Sequence, residues 1–197
     1  MAERLVVISD TWGAKKGIWA NSYLVYLQQY FNLTYLDSQR LAKLDLDTDS
    51  EETIHTAFFK GGIDTAVGEL VKLQKEPCHY LAFGIGATIA WKAGLKGLPM
   101  KSLYAISPKG IHQFNNAPKI PTRLLFGDLD AELPTNDWFF EMHDIKEEII
   151  ESYGHRLYAN DAVIKKVSKD LLSLVTHKIE SKPKENVTRI KKPLLVS

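Results

Sequence analysis

The chain of 197 residues holds a single cysteine, Cys78, so no disulfide can close within it. It has no apolar run near the roughly 20 residues that cross a bilayer. The first residues, Met1 to Ser9, carry charge and then a short apolar run, too short for the core of a secretion signal. Excess charge is also missing: the formal net charge is +1, and a nucleic-acid footprint needs a dense basic face. His79, His112 and His143 have no partner at metal-ligand spacing, and no histidine–carboxylate motif for zinc is present. Gly84-x-Gly86 lacks the third glycine and the downstream acid of a dinucleotide fingerprint. The expectation is a cytoplasmic protein with no metal, no cofactor, no nucleic-acid partner and no membrane span.

What is present is ordinary globular material, 45% hydrophobic and 25% charged, in a length that suits one well-buried domain. Leu5-Val6-Val7-Ile8 is a continuous apolar run, the pattern of a strand buried on both faces of a parallel sheet. The loop Asp10 to Gly17 follows, then a predicted helix from Ile18 to Tyr30. Its Trp19, Tyr23, Tyr26, Leu27 and Tyr30 fall at helical spacing and read as a core face. Leu33 to Leu36 is the second strand. Leu41 to Ser50 is irregular, and Asp49 or Ser50 with Glu52 or Thr53 behind it marks a helix start. Gly61-Gly62 interrupts that helix, and another runs from Ile63 to Lys75 until Pro77 stops it.

Further strands follow at Cys78–Phe83, Leu103–Ile106, Arg123–Phe126 and Ile145–Ile150, the last acid-rich like a sheet edge. A short helix is expected around Asn136–Met142. A final one begins near Asn160-Asp161, with Val163, Val167, Leu171, Leu174 and Val175 inward. Alternation of strand and helix implies right-handed crossovers and a mostly parallel, doubly wound three-layer sandwich of six strands. Residues 1–180 form one domain in this reading, and 181–197, with two prolines and many lysines, a basic mobile tail.

The organising stretch is Cys78 to Trp91. A short apolar strand runs through Ala82-Phe83-Gly84-Ile85-Gly86 into a helix that opens with small residues. So sharp a strand-to-helix turn needs residues without bulk, because the two backbones nearly touch. A second register places Thr88 at the turn, within Gly86-Ala87-Thr88-Ile89-Ala90, at the cost of β-branched residues in a strained bend. Gly127-x-x-Asp130 follows the fifth strand and Gly154-His155 the sixth. Asp128 competes with Asp130, and Ser107 closes the fourth strand before Pro108.

These places, in this order at strand carboxyl ends, resemble the α/β-hydrolase superfamily over roughly Arg4 to Thr176. The family elbow is Gly-x-Ser-x-Gly, and here Gly84 stands where its serine would be. The resemblance implies a strand order 2-1-3-4-5-6, with no cap domain in the fifteen or so residues between the fourth and fifth strands. It implies Asp130 as the acid that orients an imidazole and His155 as the general base. It also implies an oxyanion hole from the amide of Ile85 and the Asp10-Thr11-Trp12 loop, with Ser107 lining the pocket. Three functions remain open. One is a protein that has lost esterase chemistry and binds a small molecule or a protein. The second is an enzyme using His155 and Asp130 as a general-base dyad without a serine. The third is a hydrolase with Thr88 or Ser107 as nucleophile.

Overall fold

The computed structural model describes residues 2–46 and 50–180, the last five of these by backbone alone. The tail expected at 181–197 and the helix start assigned to Asp49 lie outside the described residues. Six strands form one sheet: β1 (Glu3–Ile8), β2 (Phe31–Leu36), β3 (Cys78–Phe83), β4 (Met100–Ile106), β5 (Thr122–Gly127) and β6 (Ile145–Ile150). Their order is β2-β1-β3-β4-β5-β6 and every neighbouring pair is parallel. All six residues of β3 are buried, as a strand covered on both faces must be.

Among the described residues seven helices flank the sheet: α1 (Ile18–Leu27), α2 (Ser38–Leu41), α3 (Glu51–Ala57), α4 (Ile63–Leu73), α5 (Gly84–Leu95), α6 (Asn136–Glu141) and α7 (Asp161–Glu180). Strand side chains alternate between faces, which splits the core in two. Val6, Ile8, Tyr80, Ala82 and Phe126 pack with α4 and α5; Leu5, Val7, Leu81 and Phe83 pack with α1 and α7. Gly84 to Trp91 in α5 are buried without a break, so this helix lies between sheet and α4 rather than on the surface.

Two sequence expectations need correction. Tyr26 and Tyr30 are 46% and 47% exposed, because the helix ends at Leu27 and turns only Ala20, Tyr23 and Leu27 fully inward. The segment after β2 opens on a short helix, α2, capped by the Asp37 carboxylate accepting from the amides of Gln39 and Arg40. The expected interruption at Gly61-Gly62 is present: Gly61 leaves the helical region at φ 133°, and the chain kinks there between α3 and α4. Ser50 does cap α3, accepting from the Thr53 amide.

The connection from β4 to β5 spans residues 107–121 and holds one 3-10 turn, Ile111–Gln113, with no helical cap domain. Cys78 is buried at the amino end of β3, and burial pushes its thiol up. No helix among the described residues is long and apolar enough to cross a membrane.

Candidate functional site at the strand carboxyl ends

The elbow turns at Gly84. Phe83 is still extended, at φ −125° and ψ 139°, and Gly84, the first residue of α5, flips to φ 51°. Only glycine adopts that left-handed conformation without penalty. Two residues on, Gly86 lies so close to β1 that an added Cβ would overlap the carbonyl oxygen of Ser9. The bend therefore needs Gly84 for its dihedral and Gly86 for its clearance.

Across the turn stand His155 and Asp130. Asp130 lies just beyond β5 and His155 just beyond β6, and main-chain bonds tie the two loops: Leu129 N–H donates to Tyr153 O at 2.9 Å. The His155 Nδ1 lies 3.1 Å from Asp130 Oδ1 and 3.2 Å from Oδ2. Since a carboxylate only accepts, Nδ1 carries a proton and Nε2 is turned away from Asp130. Asp130 Oδ1 also accepts from the Glu132 amide at 3.0 Å. Burial by itself pushes the Asp130 carboxyl up, but the bonds from His155 and Glu132 outweigh it and hold it below its ordinary value. Asp128, the competitor, instead accepts from the Tyr153 amide at 3.3 Å.

If Gly84 carried a Cβ, the three atoms nearest to it would be Asp10 Cβ at 3.4 Å, Asp10 Cα at 3.7 Å and His155 Nε2 at 3.8 Å. His155 Nε2 thus faces the position that a side chain on Gly84 would take. These are ordinary contact distances, so a Cβ on Gly84 would meet no clash, and the obstacle to a side chain there is the positive φ.

The other wall is Asp10, 1% exposed. Its Oδ1 accepts from the Trp12 amide at 3.0 Å and its Oδ2 from the Tyr158 hydroxyl at 3.1 Å. Burial pushes the Asp10 carboxyl above its ordinary value, partly offset by the Trp12 amide, the Tyr158 hydroxyl and the positive charge of Arg156 and His155. The loop itself is fastened from below: Ser38 Oγ donates to Asp10 O at 2.5 Å and Gln39 Nε2 to Thr11 O at 2.9 Å.

The expected oxyanion hole is accordingly changed. Ile85 lies in the first turn of α5, where amides have no intrahelical acceptor. The Trp12 amide, in contrast, is already bound to a carboxylate oxygen. Trp12 is half-buried and carries the Lys16 ammonium 3.5 Å above its ring. Thr11 is buried, at 4% exposure.

Thr88 and Ser107 are both buried. Thr88 is not in the turn but inside α5, with its hydroxyl donated to Lys109 O at 2.6 Å. Ser107 closes β4 at φ 46°, a strained value for a residue with a side chain. Its Oγ lies close enough to Asp130 to help hold that carboxyl down, yet outside good hydrogen-bond geometry to any partner. The next residues clamp the elbow: Lys109 N–H donates to Gly84 O at 3.3 Å, and its ammonium pairs with Glu51 at 3.1 Å.

Tyr158 is the member that the sequence did not point to. It sits in the 3-10 turn Leu157–Ala159, three residues after His155, and packs with Trp19 and Phe83. Nothing local marks it, because its partner Asp10 is 148 residues away. Among the described residues no group of three histidine, cysteine or carboxylate side chains is arranged to hold a metal.

An all-parallel six-stranded sheet with these crossovers and a strand–glycine–helix elbow is the α/β-hydrolase fold. Solved structures of that fold match over nearly the whole chain. A Xanthomonas campestris protein assigned to the α/β superfamily of hydrolases has a TM-score of 0.65 at 14% identity, over 89% of this chain and 99% of its own. The N-formylmaleamic acid deformylase Nfo of Pseudomonas putida has 0.63 at 13%, over 86% and 92%. Est1E of Butyrivibrio proteoclasticus has 0.62 at 12%, over 91% and 89%. No protein-family model and no curated protein sequence matches the chain.

Proposed function

We propose that this chain is an α/β-hydrolase-fold protein that does not form an acyl-enzyme and instead binds a small molecule over His155. One observation carries the reading: the seat faced by His155 Nε2 belongs to Gly84, which has no hydroxyl to activate. The oxyanion side supports it, since the Trp12 amide is already engaged by the Asp10 carboxylate. The buried hydroxyls of Thr88 and Ser107 give little support to either as a replacement nucleophile. A cytoplasmic location, with no nucleic-acid or membrane partner, belongs to the same reading.

A second reading has its own support. The Asp130 hydrogen bond orients the imidazole as general-base catalysis requires, and a base can act on a substrate proton or a water without a serine. Hydrolysis of p-nitrophenyl acetate separates the two. The binding reading expects no rate above background from the wild type. A wild-type rate that His155→Ala abolishes would overturn it in favour of the dyad enzyme.

A further inference from the structure

A cavity of about 330 Å³ lies between α7 and the amino ends of β4, β5 and β6, at the opposite end of the sheet from His155. That volume is at the lower end of the range for small-molecule sites, about 300–1,000 Å³. Parallel register sets Tyr104, Arg123 and Lys146 side by side on three neighbouring strands, and all three line the cavity. They share the sheet face that packs with α7, whose Leu171 and Leu174 form the wall across from them. Arg123 and Lys146 are thus like charges at facing positions, an arrangement that costs stability unless an opposite charge lies between them.

The nearby carboxylates are committed elsewhere. Asp170 Oδ2 accepts from the Tyr104 hydroxyl and from the Lys166 ammonium, both at 2.9 Å, and Arg123 approaches it only to 3.5 Å. Glu148 pairs with Lys166 at 2.7 Å. Asp144 also lines the cavity, but it is exposed and its charge is screened by solvent. A guanidinium has five N–H donors, and that of Arg123 makes no hydrogen bond among the described residues; Lys146 pairs with no carboxylate among them. Arg123 is only partly exposed, so its donors are held beside the cavity rather than spread into bulk water.

Independently of what the elbow does, we propose that this cavity binds a small carboxylate with an aliphatic tail. The carboxylate bridges Arg123 and Lys146, where the planar fork of the guanidinium matches its two oxygens. The tail lies against Leu171, Leu174 and Ile145. Such a ligand uses both parts of the lining. Inorganic phosphate would use the cations alone, and an alkylammonium would meet them with like charge.

The test titrates hexanoate, n-hexylammonium and inorganic phosphate separately into isotope-labelled full-length protein at about pH 7, where a carboxylic acid is ionised. Backbone amide shifts are followed by NMR. The expected result is saturable movement at Tyr104, Arg123, Lys146 and Leu174 with hexanoate, and none with the other two. Arg123→Gln should weaken hexanoate at least about tenfold, the scale of a hydrogen bond to a charged group. Lys146→Gln, at an exposed residue with no partner to lose, should weaken it about threefold and leave the melting temperature unchanged. Hexylammonium moving the same amides would show that the apolar wall alone binds, and phosphate moving them that charge alone does; either overturns the proposal. Hexanoate that moves only the amides of Trp12, Gly84 and Ile85 overturns it by placing the ligand at the elbow. Binding undiminished in both variants overturns it as well.

Discussion

The two sides of the elbow have fared differently. On the acid–base side, at the ends of β5 and β6, His155 and Asp130 keep a hydrogen bond of 3.1 Å. On the other side, at the ends of β1 and β3, the turn carries no side chain at Gly84, and the Asp10 carboxylate accepts from the Trp12 amide. The first side is fixed by main-chain bonds such as Leu129 N–H to Tyr153 O and Asp128 N–H to Ile150 O, which exist whatever the protein does. On the second, the glycines at 84 and 86 serve the turn and the packing, and a hydroxyl at 84 would serve only chemistry. Geometry demanded by the fold is present on both sides, and in the reading proposed above the group that chemistry alone would need is absent from the second.

The sharpest way to break this comparison is to attack the part of the elbow that the fold needs. Gly86→Ala drives a methyl into the Ser9 carbonyl of a neighbouring strand, with no flexible side chain to yield. A loss of roughly 3 kcal/mol or more in urea unfolding is expected. A loss below about 1 kcal/mol would mean that β1 and α5 approach less tightly than described.

Next in size is a change of chemistry. Gly84→Ser places a hydroxyl beside His155 Nε2, but the Trp12 amide remains bound to Asp10. Gly84→Ser/Asp10→Ala frees that amide and removes the charge. One oxyanion donor is worth about 100-fold or more in rate, so the double variant should exceed the single one in p-nitrophenyl acetate hydrolysis by that order. Equal rates would show that Asp10 does not govern the oxyanion side.

The acid–base side is tested through pH. The Asp130 carboxyl sits below its ordinary value, so its ionised form contributes stability that is present above that value and fades as pH falls through the lower folded one. Asp130→Asn should cost about 2 kcal/mol at neutral pH, the scale of a charge-assisted hydrogen bond. The gap between wild type and variant should shrink below the ordinary carboxyl value of 3.8. A gap that is constant from neutral pH to pH ~3 would deny the linkage.

The smallest effect is the stability cost of Gly84→Ser, about 1 kcal/mol, because serine must adopt φ near 51°. An unchanged or raised melting midpoint would mean that the turn relaxes around the new side chain.

How much of this was legible in the sequence follows the same division. The strands and their order could be read because continuous apolar runs such as Leu5–Ile8 and Cys78–Phe83 mean burial on both faces, and the crossovers allow few topologies. Asp130 and His155 could be read because each follows a strand end with a glycine nearby. Tyr26 and Tyr30 could not, since helical spacing says which residues share a face but not where the helix stops. The helix at Ser38–Leu41 is signalled only by Asp37, a good cap directly after the second strand, and four residues are too few for a periodic pattern. Asp10 was placed in the right loop, but its engagement of Trp12 and Tyr158 rests on a contact across 148 residues, which no local pattern encodes.

The single cysteine has a practical meaning for work on this site. Cys78 is buried at the amino end of β3, and its thiol is pushed up by that burial, so it is a poor target for alkylating reagents. His155 lies at the opposite end of the sheet. A Gly84→Cys variant would therefore place one addressable sulfur in the molecule, beside an imidazole able to draw off its proton. Covalent labels and spin probes could then be fixed at the elbow of the native chain with no other cysteine to remove first.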